Sequence, residues 1–200
     1  MCAGIGCGLP IERPVGHMVV DLGGGTTSMG VISMGGMVSS ATIPVGGNTL
    51  DASITEWVKN NHNILLGARA AEDVKLSLAS AIPTESDTKI QVTGRDLNSG
   101  IPREITITRK EICVAIQKPL HKIMQTVQRT LSKTPPELSA DIIDHGIVLC
   151  GGTALLPGLV ELFRNKSGLP VVLAEEPRRC VALGAGSLLD APEILEDLVY

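Results

Sequence analysis

The residues best suited to chemistry form one short stretch directly after the apolar run at 18–20. The stretch contains a carboxylate, glycines and hydroxyl residues: Asp21, Gly23, Gly24, Gly25, Thr26 and Thr27. Glycines lack side chains, so their backbone N–H groups can close on an anion. Threonine hydroxyls can donate to phosphate oxygens, and a carboxylate can hold a water or a hydrated Mg²⁺. The stretch therefore has the parts of half a clamp for the phosphates of a nucleotide.

The same glycines also suit the turn of a β-hairpin. The run at 28–34 could pair back onto the first strand, and three glycines alone favour that interpretation. The flanking Asp21 and the Thr26-Thr27 pair favour the clamp. The two interpretations are compatible, because the turn of a hairpin can itself hold the phosphates.

A second glycine turn, Gly151-Gly152-Thr153, follows a buried apolar run at 147–149 and precedes a helical pattern. The backbone of such a turn can approach a flat ligand closely, and the N-terminus of a helix favours negative charge. On its own this turn also fits a simple helix entry in which glycine permits close packing of the helix on the strand.

Composition narrows the class of protein. The 200 residues are 44% hydrophobic and 19% charged, which is typical of a folded globular chain. One Trp, one Tyr, one Phe and a net charge of −4 disfavour nucleic acid as a partner. The five cysteines are scattered and form no CxxC pair, so we expect reduced thiols in a cytoplasmic protein rather than disulfides or a zinc site. We expect no transmembrane helix and no secretory signal.

The apolar periodicity predicts the elements that position these residues. Strands are predicted over 18–22, 28–34, 37–43, 88–94, 101–107, 146–150 and 171–173. Helices are predicted over 48–61, 68–80, 108–131, 137–142 and 177–190, with a further one around Leu159. Asn48 is the expected N-cap of the first of these helices, and Pro177 is expected at the first position of the last helix. The run Thr108-Arg109-Lys110-Glu111 predicts a capping box that opens the long helix, in which Pro119 predicts a kink. A polar loop at 84–87 and an acidic, loosely helical tail complete the chain.

This order of elements predicts a mixed α/β lobe formed by residues 1–45 and 108–190. A smaller α+β subdomain is inserted at 46–107, and residues 191–200 form the tail.

The two glycine turns together resemble the second phosphate loop and the adenosine motif of the actin superfamily of ATPases. The match is best to the MreB family, the bacterial rod-shape homologues of actin. It extends over nearly the whole chain, with matching segments in order at 5–10, 18–27, 43–47, 135–138, 151–152, 168–172 and 180–182. The resemblance implies an actin-like ATPase (RNase H-like) lobe with the smaller α+β insertion subdomain, and ATP and Mg²⁺ as cofactors.

The resemblance also implies roles for individual residues. Asp21 would organise Mg²⁺ through water, and the phosphate cradle would comprise Gly23, Gly24, Gly25, Thr26 and Thr27. Glu72 and Lys75 match the family's E-x-x-K, which contacts the ribose and base; a solvated ion pair on one helix face is the plainer alternative. Residues that would border the adenosine are Gly151, Gly152 and Thr153. No catalytic residue is assigned.

The sequence departs from the family pattern in three residues and in extent. Ser28 stands where Glu is usual, Thr153 replaces a third glycine, and Leu183 stands where a basic residue is common. Only the second half of an MreB chain is matched, so the first phosphate loop and the catalytic Glu of the family fall outside this sequence. Losing one of two cradles costs ~4 kcal/mol, which would weaken a micromolar ATP site roughly a thousandfold. We therefore expect weak ATP binding by this chain alone.

The resemblance implies a cytoskeletal protein that forms membrane-associated filaments in the cytoplasm and guides cell-wall synthesis. Its partners would be itself in a filament or a full-length homologue, together with cell-shape and cell-wall-synthesis proteins at the membrane. Two alternatives stay open. One is another actin-superfamily ATPase, either a DnaK-type chaperone or a sugar kinase. The chaperone would need a C-terminal substrate domain, and the kinase would need a sugar pocket with a catalytic Asp, for which the sequence offers no candidate beyond Asp21. The other is a non-enzymatic module that caps filaments.

Overall fold

The computed structural model describes residues 1–83 and 88–190, so the predicted loop at 84–87 and the tail at 191–200 lie outside the described residues. The strands are β1 His17–Leu22, β2 Thr27–Ser33, β3 Gly36–Ile43, β4 Ile64–Leu65, β5 Lys89–Asp96, β6 Pro102–Thr108, β7 Ile147–Cys150 and β8 Val171–Leu173. The α-helices are α1 Cys2–Gly6, α2 Gly47–His62, α3 Ala68–Leu78, α4 Arg109–Ala115, α5 Gln117–Ser132, α6 Pro136–His145, α7 Leu159–Ser167 and α8 Cys180–Asp190. A 3₁₀ turn covers Gly152–Leu155.

The main sheet has five strands in the order β3-β2-β1-β7-β8. The first three strands form an antiparallel meander, whereas β1, β7 and β8 run parallel to one another. A second, antiparallel sheet has the order β4-β5-β6. Strands and helices that alternate around a mixed sheet confirm the predicted α/β class.

The central strand β1 is covered on both faces, which explains its nearly continuous apolar sequence. Met18, Val20 and Leu22 point into the larger core. Val19 lies in a smaller core on the opposite face, together with Ile32. Because side chains alternate along a strand, Asp21 lies on the same face as Val19.

Helices α1 and α8 pack together over the smaller core with almost no space between their backbones. A Cβ atom added at Gly6 would overlap the Cys180 carbonyl oxygen, and one added at Gly184 would overlap the Cys2 carbonyl oxygen. Glycine is therefore required on both sides of this helix contact.

Two predicted helix starts are wrong, and one short strand was not predicted. Helix α2 begins at Gly47 with Gly46 as its N-cap, so Asn48 lies inside the first turn. Helix α8 begins at Cys180 rather than at Pro177, because the preceding residues form a turn in which Arg179 N–H donates to the Glu176 carbonyl at 2.8 Å. The two-residue strand β4 is absent from the prediction, since it is too short to show alternation.

The predicted kink in the long helix is confirmed. The helical path breaks at Ile116, between α4 and α5, and Pro119 lies in the first turn of α5. Proline is tolerated there because the first turn of a helix has no use for its backbone N–H. Within the described ranges, every helix falls short of the length or apolar character that crossing a bilayer requires.

The capping box predicted at the start of this helix is present. The Thr108 hydroxyl accepts from the Glu111 N–H at 3.4 Å, and the Glu111 carboxylate accepts from the Thr108 N–H at 2.7 Å. Burial alone would raise the pKa of Glu111, but hydrogen bonds from the Thr108 backbone and hydroxyl and from the nearby His62 hold that pKa below its ordinary value. The ionised carboxylate therefore stabilises the fold.

We expect Glu111→Gln to reduce the free energy of unfolding by about 1 kcal/mol at neutral pH. The folded-state pKa is depressed, so the wild-type advantage is present above the unfolded pKa and is lost as the pH falls through the folded value. Urea unfolding at neutral and acidic pH measures this, with Glu104→Gln on the exposed side of β6 as the control. An advantage that persists unchanged in acid would contradict the assignment.

Candidate functional site

The first glycine loop is the turn of the hairpin between β1 and β2. The Gly23 N–H donates to the Thr26 carbonyl at 2.9 Å and closes the turn. Gly24, Gly25 and Thr26 are exposed at its tip. The predicted hairpin is thus confirmed. Gly24 and Gly25 expose backbone that carries no side chain, as the binding of an anion by backbone N–H groups requires.

Thr27 does not present its hydroxyl at this loop, contrary to the prediction. Its side chain is fully buried, and the hydroxyl donates to the Val45 carbonyl at 2.7 Å. The reason is strand alternation, which turns the first residue of β2 inward and leaves Thr26 outside. The Thr27 side chain therefore ties the loop to the segment that precedes α2.

The start of α2 packs directly against the loop at Gly46 and Gly47. Neither glycine is among the predicted site residues. A Cβ atom at Gly46 would come within 2.5 Å of the Gly23 carbonyl oxygen and 2.6 Å of the Gly24 carbonyl oxygen. The Gly47 N–H donates to the Gly23 carbonyl at 3.1 Å, and the Asn48 N–H donates to the Gly24 carbonyl at 2.8 Å. The glycine pair after Pro44 is the sequence signal for this close approach.

The second glycine turn reaches the first directly. Gly151 has φ +88°, and a Cβ atom there would overlap the Leu22 carbonyl oxygen and lie 2.5 Å from Asp21 Oδ1. The Thr153 hydroxyl donates to the Gly23 carbonyl at 2.8 Å. The structure therefore brings together two turns that are 130 residues apart in the sequence.

Lys75 joins this site from α3. Its ammonium group lies 2.8 Å from Asp51 Oδ2 and donates to the Gly47 carbonyl at 3.3 Å. The two side chains are only 14% and 18% exposed, so the plain alternative of a solvated Glu–Lys pair does not hold for Lys75. Asp51 is a site residue that the sequence argument missed, because its partner lies 24 residues away on another helix. Glu72 is exposed, one helical turn before Lys75.

A cavity of about 630 Å³ opens where these elements meet. Its lining comprises Gly24, Gly47, Asn48, Leu50, Glu72, Lys75, Leu76, Gly152, Thr153, Leu155, Leu156, Pro157 and Arg178. Five predicted site residues are in this set: Gly24, Glu72, Lys75, Gly152 and Thr153. The cavity combines apolar side chains with two cations, and its volume is in the range of small-molecule sites. Arg178 is a further site residue that the sequence did not predict, since it lies in a turn without periodicity.

Asp21 lies beside the two turns rather than in the cavity lining. It pairs with Ser28 across the hairpin and with Cys150 across the parallel pair, one residue before Gly151. Burial raises the pKa of its carboxyl above the ordinary value. Within residues 1–83 and 88–190, no group of three or more His, Cys, Asp or Glu is arranged to hold a metal ion directly.

Comparison with known proteins identifies the family of this chain. The family profile described as MreB/Mbl protein matches residues 1–197. The chain belongs to the MreB/Mbl family. It is 45% identical over 188 residues to the cell shape-determining protein Mbl of Bacillus subtilis strain 168, covering 94% of this chain and 56% of Mbl. It is 44% identical over 190 residues to the cell shape-determining protein MreB of Escherichia coli K12, covering 95% of this chain and 55% of MreB. The chain thus spans about half the length of these relatives.

Solved structures agree with the family. The crystal structure of MreB5 of Spiroplasma citri bound to AMPPNP matches with a TM-score of 0.92 and 36% identity, over 98% of this chain and 59% of MreB5. MreB5 bound to ADP also matches with a TM-score of 0.92 and 36% identity, over 98% of this chain and 60% of MreB5. A MamK double helical filament matches at a TM-score of 0.73 and 21% identity, over 94% of this chain and 57% of MamK, which supports the fold alone. These likenesses confirm the predicted actin-like fold, and membership of a family of actin-like cell-shape proteins sets aside the chaperone and sugar-kinase alternatives.

Proposed function

We propose that this MreB/Mbl-family chain carries the second phosphate loop and the adenosine-facing wall of an ATP site in a cell-shape cytoskeletal filament. The observation that carries the proposal is the cavity in which both glycine turns, the start of α2 and Lys75 meet. A relative at 36% identity is solved with AMPPNP and with ADP, which supports a nucleotide as the ligand.

The space around Gly47 fits a ligand that approaches the backbone closely. A Cβ atom there would come 3.0 Å from Thr153 Oγ1 and 3.5 Å from Lys75 Nζ, so a larger residue would fill the junction of the turns. Gly152 is exposed, and a Cβ atom there would meet no other atom within 4 Å. We assign Gly24, Gly25 and Thr26 to the phosphates through the exposed tip of the loop, and Gly23 to closing the turn beneath them through its N–H bond to the Thr26 carbonyl.

Lys75 is suited to contact the nucleotide because it has a donor to spare. An ammonium group has three N–H donors, and Asp51 and the Gly47 carbonyl account for two of them. The third can reach a ribose or base oxygen, with Glu72 beside it accepting from a hydroxyl. Gly151, Gly152 and Thr153 would border the adenosine from the opposite side.

Asp21 fits a hydrated Mg²⁺ better than direct coordination. It is one carboxylate beside the loop, and Mg²⁺ in nucleotide sites keeps several waters and shares the phosphates with one or two carboxylates. When bound, the ion would neutralise phosphate charge. The raised pKa of Asp21 reflects the cost of holding its charge half-buried, a cost that a nearby cation would offset.

Filament formation and membrane association follow as parts of the same proposal. MamK, which shares the fold, is solved as a double helical filament, so self-association is a property of this chain to test. The relatives Mbl and MreB are cell shape-determining proteins, which supports partners in cell-wall synthesis and a cytoplasmic location at the membrane for this chain. The capping alternative would apply if this chain bound filaments of a full-length homologue without extending them.

We expect Lys75→Met to weaken Mg-ATP binding by about tenfold or more, since a hydrogen bond to a charged group is worth ~1.5–3 kcal/mol. Calorimetric titration measures the change, and Lys59→Met, an exposed lysine in the last turn of α2, is the matched control. The variant also leaves Asp51 without its cation, so thermal unfolding is followed in parallel. Unchanged affinity in a folded Lys75→Met chain would contradict the assignment.

A further inference from the structure

Asp51 lies behind the cavity, in contact with one of the residues that line it. It is in the second turn of α2 and is not part of the lining, whereas its partner Lys75 is. Asp51 Oδ2 is 2.8 Å from Lys75 Nζ, and the two side chains are mostly buried. The other carboxylate oxygen, Asp51 Oδ1, is buried and has no hydrogen-bond partner within the described part of the chain.

The unpartnered oxygen argues against a purely stabilising role for this carboxylate. A buried acceptor without a hydrogen bond destabilises the folded state, and a buried ion pair is weak evidence for stability. An apolar side chain at residue 51 would avoid that cost. The carboxylate therefore needs a reason beyond the fold, and its contact with Lys75 supplies one.

A second contact places the Lys75 ammonium group at the junction of α2 and the first glycine loop. The ammonium group donates to the Gly47 carbonyl at 3.3 Å, and the Gly47 N–H donates to the Gly23 carbonyl at 3.1 Å. A lysine side chain has a flexible four-carbon stem and loses much rotamer entropy when it is fixed. Because Asp51 and Gly47 already restrain the ammonium group, a ligand that binds it does not have to order the side chain.

We propose, on the basis of the nucleotide site proposed above, that Asp51 is a positioning residue for nucleotide binding. Asp51 does not touch the nucleotide. It holds the Lys75 ammonium group at the cavity, where the third N–H donor of that group meets the ligand.

The sign of the effect separates positioning from simple electrostatics. Nucleotide phosphates are negative, so a nearby carboxylate opposes binding by charge alone, and its removal would strengthen binding. Positioning predicts the opposite result for Asp51→Asn. This variant keeps the size of the side chain but holds the ammonium group less firmly, because one of the two charges of the pair is lost. We expect it to weaken Mg-AMPPNP binding by about fivefold.

The test is a double-mutant cycle on the 200-residue chain, titrated with Mg²⁺ and AMPPNP and followed by the initial slope of the Gly152 amide shift. Asp51→Asn should weaken binding by about fivefold in the wild-type background and by less than about twofold in the Lys75→Met background. Glu56→Gln, which removes an exposed carboxylate from the same helix, should leave binding unchanged. Thermal unfolding shows whether each variant is folded.

Side-chain ¹⁵N spectra of the ligand-free chain decide the matter even if Asp51→Asn fails to fold. An ammonium group held by two acceptors exchanges its protons slowly with water. We expect a resolved Nζ signal for Lys75, assigned by its absence in Lys75→Met, and loss of that signal in a folded Asp51→Asn chain. A wild-type chain without this signal, or a signal that persists in Asp51→Asn, overturns the positioning role.

The titrations separate failure of this role from failure of the nucleotide site. A wild-type chain without saturable AMPPNP shifts overturns the nucleotide site, and the positioning role with it. If the wild-type chain binds AMPPNP, unchanged or tighter binding by Asp51→Asn overturns the positioning role alone. Equal weakening by Asp51→Asn with and without Lys75 also overturns that role alone, since a structural effect would not depend on Lys75.

Discussion

Gly151→Ala is expected to destabilise the chain by about 3 kcal/mol. An alanine at φ +88° costs ~1–2 kcal/mol, and overlap of its Cβ with the Leu22 carbonyl adds ~1–3 kcal/mol. Since this turn also packs against Asp21, relief of the overlap would separate the two glycine turns and weaken nucleotide binding. For a chain of this size the midpoint of thermal unfolding should fall by roughly 6–12 °C.

Gly152→Ala is the matched control for this prediction. Gly152 is adjacent in sequence and exposed, and a Cβ atom there would meet no other atom within 4 Å. Its substitution should change the free energy of unfolding by no more than about 0.5 kcal/mol. Thermal unfolding followed by circular dichroism compares the two variants. Equal midpoints would show that the close approach of the turn to β1 is not required.

Gly184→Ala is expected to separate α8 from α1 and to destabilise the chain by about 2–3 kcal/mol. A Cβ atom at Gly184 would overlap the Cys2 carbonyl and come 2.8 Å from the Gly6 backbone nitrogen. Both obstacles are backbone atoms, so no side-chain rotation can relieve them. The helices would have to move apart and expose part of the smaller core.

Gly186→Ala in the same helix should instead raise the free energy of unfolding. A Cβ atom there would meet no other atom within 4 Å, and alanine is the better helix former by ~1 kcal/mol. Urea unfolding of the two variants tests the pair. Destabilisation by both, or by neither, would contradict the account of the helix contact.

Local signals were sufficient for much of the fold. The Thr108 capping box, the break near Pro119 and the hairpin at Gly23–Gly25 each depend on residues close together in the sequence, and each is confirmed. The start of α8 was misplaced because Pro177 suits either a first helical position or a turn. Its carbonyl accepts from the Gly151 N–H at 2.7 Å, a contact that periodicity cannot reveal.

The candidate site also contains residues that local patterns predict and residues whose role depends on contacts distant in the sequence. The glycines of both turns could be identified from strand–glycine–hydroxyl patterns, and the family resemblance added Glu72 and Lys75. Asp51 was missed because its importance comes from a 2.8 Å contact with another helix. Thr27 was assigned to the phosphates although strand alternation alone would have placed its side chain inside.

The central claim is that one nucleotide occupies the cavity between the two glycine turns and α3. Amide NMR spectra of the ¹⁵N-labelled chain, titrated with Mg²⁺ and AMPPNP, test it most directly. We predict that the amides of Gly24, Gly47 and Gly152 shift together along one saturating curve with a Kd of about 1 mM, and that Lys75→Met weakens that curve. Saturable shifts elsewhere that leave these three glycines unmoved, or no saturable shift at all, would contradict the account.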